Sequence, residues 1–283
     1  MKFNEKMVGD VCKTLELKYP GRSCDFYRFG LAVEMLRVLI SNEWVNQAIF
    51  PNDHPTKSKK TQEAIIFLKS KEIGFQFQER VYRLAQRLYD IQNITGLEMV
   101  IKKIINGDTY GGYAEIEAGS FFKRRNIDFD FIIPSGIKGH DFDIKISGSP
   151  AINCEVKHKI EATSLSKKIL EKTLSLANEQ VPNTEPALFF IKIPEEWIVN
   201  QALINVVERT MGTFFPRNKN VLGFILHWEE RDKTNNGGFY WKYKYEKNPL
   251  CSLISKEITN KLEMKINLED SIVLLIKKNI KGA

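Results

Sequence analysis

Apolar residues recur at helical spacing through the first third of the chain. Phe26, Phe29, Val33, Leu36 and Ile40 form one stripe along a helix expected from Phe26 to Val45, and the run from Val81 to Tyr89 continues the theme. Turn formers interrupt the pattern at Tyr19-Pro-Gly-Arg22, at Phe50-Pro-Asn-Asp-His-Pro55 and at Asn106-Gly-Asp108. Residues 1–108 therefore read as an all-α N-terminal domain. Past Gly112 the period changes. A helix from Tyr113 to Arg125 leads into strand-like runs at Ile127–Pro134, Asp141–Ile146 and Ala151–Lys157. A helix around Ser164–Gln180, a strand Ala187–Ile193, a helix Glu195–Met211 and a strand Val221–Trp228 follow, and Asn236-Gly237 predicts a turn into a last strand over Phe239–Tyr245. The order α-β-β-β-α-β-α-β predicts an α/β fold over residues 109–283: a mixed β-sheet flanked by helices.

Composition narrows the class. With 283 residues, 43% hydrophobic and 27% charged, the chain is large enough to bury a core and far from the composition of disordered proteins. Cys12, Cys24, Cys154 and Cys251 form no CxxC pair and take no zinc spacing with His54, His140, His158 or His227, so buried free thiols are expected. The longest apolar run, Ser271–Ile276, is strand-sized, against the about 18–20 residues that cross a bilayer. No apolar leader follows Met1–Met7, so a cytoplasmic protein without membrane contact is expected. Neither GxGxxG nor a Walker loop is present, and ATP use is not indicated. The net charge of +7 leans towards polyanionic partners.

Charged residues in the middle strands carry the candidate chemistry. Alternation is expected to put Asp141, Asp143 and Lys145 on one face, opposite Phe142, Ile144 and Ile146, with Glu155 and Lys157 sharing a face of the next strand. Clustered carboxylates need a cation, because an uncompensated buried charge is costly. Ser147-Gly-Ser-Pro150 makes the two strands a hairpin, and loop length decides the pairing. A loop of Ser147–Ser149 sets Asp141 opposite Glu155; a loop of Gly148–Pro150 sets Asp143 there. Opposed side chains stand about 4.5–5.5 Å apart at Cβ, so both carboxylates reach one Mg²⁺ at about 2.0–2.1 Å.

Glu115 in Ala114-Glu-Ile-Glu-Ala118, Gly139-His-Asp-Phe-Asp-Ile144, and Ile152-Asn-Cys-Glu-Val-Lys157 together resemble the PD-(D/E)xK nuclease superfamily, with Glu155-Val-Lys157 as its ExK element. The resemblance extends to about residue 228 and includes Ala177-Asn-Glu-Gln-Val-Pro182; residues 1–108 lie outside it. It implies a restriction-endonuclease-like core, Mg²⁺ or Mn²⁺ as cofactor, and hydrolysis of phosphodiesters. By position it implies Asp141 as motif aspartate with Asp143 as the alternative, Glu155 as second metal ligand, Lys157 as motif lysine and Glu115 as accessory acid. His140 stands where the family often has proline.

Lys159, Lys167, Lys168 and Lys172 follow the motif; they read either as a solvated face or as contacts to backbone phosphates. Tyr240, Trp241, Tyr243 and Tyr245 interleave with Lys242 and Lys244, which suits base stacking but also a strand with its aromatics on the core. The expectation is a Mg²⁺- or Mn²⁺-dependent endonuclease acting on nucleic acid, with DNA ranked before RNA. The alternative is a catalytically inactive nucleic-acid-binding or assembly protein with the same fold. For the helical domain, gripping substrate, forming a homodimer and binding a regulator all remain open.

Overall fold

The computed structural model describes residues 2–50, 59–69, 75–137, 140–159, 164–199, 202–231, 239–253 and 256–264, with Asn279. The predicted turn at Asn236-Gly237, most of the break at 50–55 and the apolar run Ser271–Ile276 lie outside them. The chain forms two compact units, Met1–Ile116 with Ile266–Ala283, and Glu117–Lys265.

The first unit is helical. It contains α1 (Glu5–Lys18), α2 (Cys24–Leu39), α3 (Asn42–Ala48), α4 (Lys59–Lys69), α5 (Phe75–Ile91), α6 (Leu97–Ile105) and the beginning of α7 (Thr109–Arg124). Side-chain oxygens start three of these helices: Asn4 accepts the Met7 N–H at 3.0 Å, Ser23 that of Phe26 at 3.3 Å, and Ser41 that of Trp44 at 3.0 Å. The Ser41 cap is why the single helix expected over Phe26–Val45 is two. Leu31, Met35 and Leu36 of α2 and Val81, Leu84 and Leu88 of α5 are buried, and these two helices pack together at the centre of the unit. Arg87 is fully buried, where it donates to the Tyr113 hydroxyl and lies 4.9 Å from the centre of that ring.

The second unit is an α/β fold around one six-stranded mixed sheet. Its strands are β1 (Phe129–Phe131), β2 (Ile144–Ile146), β3 (Ile152–His158), β4 (Ala187–Lys192), β5 (Val221–Arg231) and β6 (Phe239–Lys247), in the order β1-β2-β3-β4-β5-β6. β1, β2 and β3 are antiparallel; β3, β4 and β5 run parallel; β6 returns antiparallel to β5. The crossovers are α8 (Lys167–Asn178), then α9 (Glu195–Val199) and α10 (Ala202–Phe214), which lie along the helix expected from Glu195; α11 (Lys256–Glu263) closes the unit.

Both long crossover helices cover one face of the sheet. Leu170, Leu174 and Ala177 of α8 and Val207 and Phe214 of α10 share a core with Phe189, Ile191, Phe224 and Leu226. α7 covers the other face. Its Phe121 and Phe122 rings lie 5.6 and 6.5 Å from that of Phe190. Gly119 permits the approach to β1, because a Cβ there would stand 2.7 Å from the Phe131 ring. On the same face Tyr243 of β6 meets Phe121 at 5.1 Å, with the Arg125 guanidinium 4.2 Å from its ring, while Lys242 and Lys244 are exposed. The aromatic positions of β6 at Trp241, Tyr243 and Tyr245 are thus core-facing. In β5, Ala187 pairs with Val221 and Leu188 with Gly223, which leaves Leu222 as an extra residue. Gly223 takes φ 153° there, and its Cβ would stand 2.3 Å from the Glu246 carbonyl oxygen.

Candidate functional site

β3 is the third strand of the sheet, hydrogen-bonded on both sides, so a polar side chain on it is buried unless it reaches a partner. Glu155 is 2% exposed. Its Oε1 accepts from the Lys157 ammonium at 2.6 Å, two residues further along the same face. That face is the one α8 covers: Glu155 pairs with Phe189 and Lys157 with Ile191, both within the α8–α10 core. The ammonium also donates to Gln180 Oε1, just beyond the end of α8. Lys157 is therefore held between a carboxylate on its own strand and an amide at the foot of the packed helix. A buried ion pair of this kind gains from mutual attraction what it loses in desolvation only when its geometry is good and the remaining donors are satisfied.

The hairpin register decides between the two aspartates. Ile144 pairs with Cys154 and Ile146 with Ile152, so the turn is the one that sets Asp143 across from Glu155. β2 starts only at Ile144, however, which is later than the expected Asp141. Asp143 closes the gap with its side chain: Oδ2 accepts the Val156 N–H at 2.9 Å, where a main-chain carbonyl would continue the ladder, while its own carbonyl accepts from Ile132. The carboxylate thus sits on the edge of β3 beside the peptide that follows Glu155. The expected alternation also stops here, because Phe142 joins the core on the α8 side whereas Ile144 lies on the sheet itself.

Asp141 is engaged elsewhere. Its Oδ1 accepts from the Ser135 N–H at 2.6 Å, the Ser135 hydroxyl at 2.7 Å and the Gly136 N–H at 3.1 Å. The Ser135 hydroxyl, followed by these main-chain donors, holds the Asp141 carboxyl below its usual pKa. This is a local tie across the 135–141 loop; of the Gly136–Gly139 entry, residues 138–139 lie outside the described residues. Glu115 belongs to the helical unit, and Lys103 pairs with it there at 2.6 Å. Among the lysines, Lys159 follows β3 and is half-buried, Lys167 pairs with Glu171 at 3.4 Å, and Lys168 is exposed on the first turn of α8.

A second charged group lies on the opposite face, at the ends of β4 and β5, and the sequence pattern did not single it out. Glu117 is 1% exposed; its Oε2 is 2.9 Å from the Lys192 ammonium and 3.4 Å from His227 Nε2, and Lys192 also reaches Glu229 at 3.4 Å. The one sign in the sequence is Lys192 inside the apolar run Ala187–Ile193. His158 lies in the same field: burial first, then the Lys192 charge, push its imidazole down to about 4.

As for metals, no group of three or more His, Cys, Asp or Glu side chains able to hold an ion is gathered among the described residues. Asp143 and Glu155 supply two carboxylates from adjacent strands. This donor set fits Mg²⁺, which keeps several waters and is held by one or two carboxylates together with substrate phosphate oxygens. It does not fit a closed zinc site. Compared with known proteins, the chain matches no family model, no curated protein and no solved structure.

Proposed function

We propose that the second unit is a metal-dependent nuclease that hydrolyses phosphodiester bonds, with DNA ahead of RNA as substrate. One observation carries this reading. The Asp143 carboxylate lies on the edge of β3 next to Glu155, and Glu155 is paired at 2.6 Å with the Lys157 ammonium. By register Asp143 is across from Glu155, whose own partner is Lys157, and the resemblance of Asp-Phe-Asp and Glu-Val-Lys to the PD-(D/E)xK superfamily is what supports giving these three residues a common chemistry.

Asp143 and Glu155 would hold a Mg²⁺ or Mn²⁺ ion, which when bound polarises a phosphoryl oxygen and lowers the pKa of coordinated water. The chain's own residues do the remainder. Lys157 donates hydrogen bonds towards the charge that develops on the phosphoryl oxygens, or towards the attacking water. Gln180, as an acceptor for the same ammonium, fixes its direction. Strand β3, buried on both sides, keeps these groups from relaxing away from one another.

The test is direct. Labelled plasmid, linear duplex, single-stranded DNA and RNA are incubated with Mg²⁺ or Mn²⁺. Cleavage is expected with the wild type and is expected to be lost in Glu155→Ala and Lys157→Ala. If the wild type cuts none of them with either metal, the nuclease reading falls; retarded migration without cutting, unaffected by EDTA, would put the inactive nucleic-acid-binding protein in its place.

A further inference from the structure

α1 ends at Lys18 and α2 opens at Cys24, and the turn between them is tied to the core of the helical unit. The hydroxyl of Tyr27, a buried residue of α2, donates to the Tyr19 carbonyl at 2.8 Å and accepts the Arg22 N–H at 3.3 Å. Gly21 makes the reversal at φ 70°. Pinned in this way, the turn carries an aromatic and basic cluster at the surface. The rings of Tyr19 and Phe26 meet edge to face at 5.2 Å, the Lys18 ammonium lies 5.4 Å from the centre of the Tyr19 ring, and the Arg22 guanidinium 5.7 Å from that of Phe26. Lys18, Arg22 and Phe26 are exposed. Asp25, in the first turn of α2, is taken by Arg28 at 3.1 Å, and Glu16 is two residues before Lys18, a spacing at which helix side chains do not face each other. Among the described residues no carboxylate pairs with Lys18 or Arg22.

Solvent-facing rings beside cations without counter-ions are the two parts of a surface for single strands, on which bases stack while the cations neutralise phosphates. We propose that this turn of the helical unit binds single-stranded nucleic acid, with a base stacked on Phe26 and with Lys18 and Arg22 on the flanking phosphates. The Arg22 contact at 5.7 Å is near the limit of about 6 Å for cation–π attraction, so the guanidinium readily yields the ring to a base. A duplex keeps its base faces stacked and forgoes that half of the interaction. A lipid surface suits the turn less, because a helix lying on one needs an apolar face along its length, and α1 and α2 expose only Leu17 and Phe26 among their large apolar side chains. The inference goes beyond the nuclease reading and does not rest on it, since every group it uses belongs to the first unit.

The experiment follows the fluorescence anisotropy of an end-labelled oligothymidylate of about 15 nucleotides mixed with the full chain in EDTA, where no metal-dependent cleavage interferes, over a range of salt concentrations. Wild type is compared with Phe26→Ala, Phe26→Trp and Lys18→Gln/Arg22→Gln. Phe26→Ala is expected to weaken binding about five- to a hundredfold, the loss of one stacked base, with the salt dependence and the affinity for a duplex unchanged; Phe26→Trp keeps the affinity. Lys18→Gln/Arg22→Gln, at exposed positions, is expected to flatten the log–log salt slope by about 1.4, two phosphate contacts on a single strand. Should Phe26→Ala lower the melting temperature so far that it does not fold, the salt slope of the double variant decides alone. No binding by the wild type, wild-type affinity in a folded Phe26→Ala, or a wild-type slope in the double variant each overturns the proposal. So does a loss confined to binding of phosphatidylcholine–phosphatidylserine vesicles, which would make the turn a lipid contact. Cleavage with Mg²⁺ is measured separately on the same variants, so the nuclease reading stands or falls on its own result.

Discussion

Asp141 and Asp143 are two residues apart and do different work. Asp141 gathers three donors from Ser135 and Gly136, so its carboxylate is committed to closing a loop. Asp143 spends one oxygen on the Val156 N–H and thereby ends β2 at the place where Glu155 begins the polar face of β3. Asp143→Ala is accordingly expected to reduce cleavage by about a hundredfold or more, above what loss of an outer partner of a metal site costs, whereas Asp141→Ala should stay within a few-fold of wild type. A rate series with both variants decides between them; equal losses would remove Asp143 from its assignment. The choice was not legible from the residues alone. Both aspartates satisfy the spacing, and only the register, fixed by a one-residue shift of the three-residue loop within Ser147–Pro150, separates them.

Elements were read more securely than their ends. The order of helices and strands in the second unit follows the change of apolar period after Gly112, and the sheet obeys it. Boundaries moved wherever a side chain competed with the main chain: Ser41 caps a new helix inside one apolar stripe, and the Asp143 carboxylate takes a ladder position from β2. The buried group around Lys192 escaped for a different reason, since pairing between β4, β5 and α7 has no local signature. Two consequences can be measured. Gly223→Ala must place a Cβ 2.3 Å from the Glu246 carbonyl oxygen at φ 153°, so a loss of about 2–4 kcal/mol in urea unfolding is expected. His158, held neutral to about pH 4, binds a proton in the unfolded chain near pH 6.5 but not in the folded one. Its contribution is therefore complete above about pH 6.5 and lost as the pH falls towards 4. His158→Gln should flatten the decline of the urea midpoint between these values; an unaltered decline would assign it to other groups.

At the scale of the whole molecule, a sheet that carries its own ammonium beside Glu155 is expected to fold without an ion. EDTA is expected to stop cleavage while leaving the far-UV circular dichroism and melting temperature unchanged, and added Mg²⁺ to restore activity. A melting temperature that collapses with chelation would mean a structural metal instead. The sheet also has an end. Among the described residues β6 has no strand beyond it, and an uncovered ribbon of main-chain donors and acceptors invites a second copy to zip alongside and to grow into fibres. Lys242, Lys244 and Lys247 stand exposed along this ribbon, and the repulsion between their charges and those of a second copy opposes such stacking.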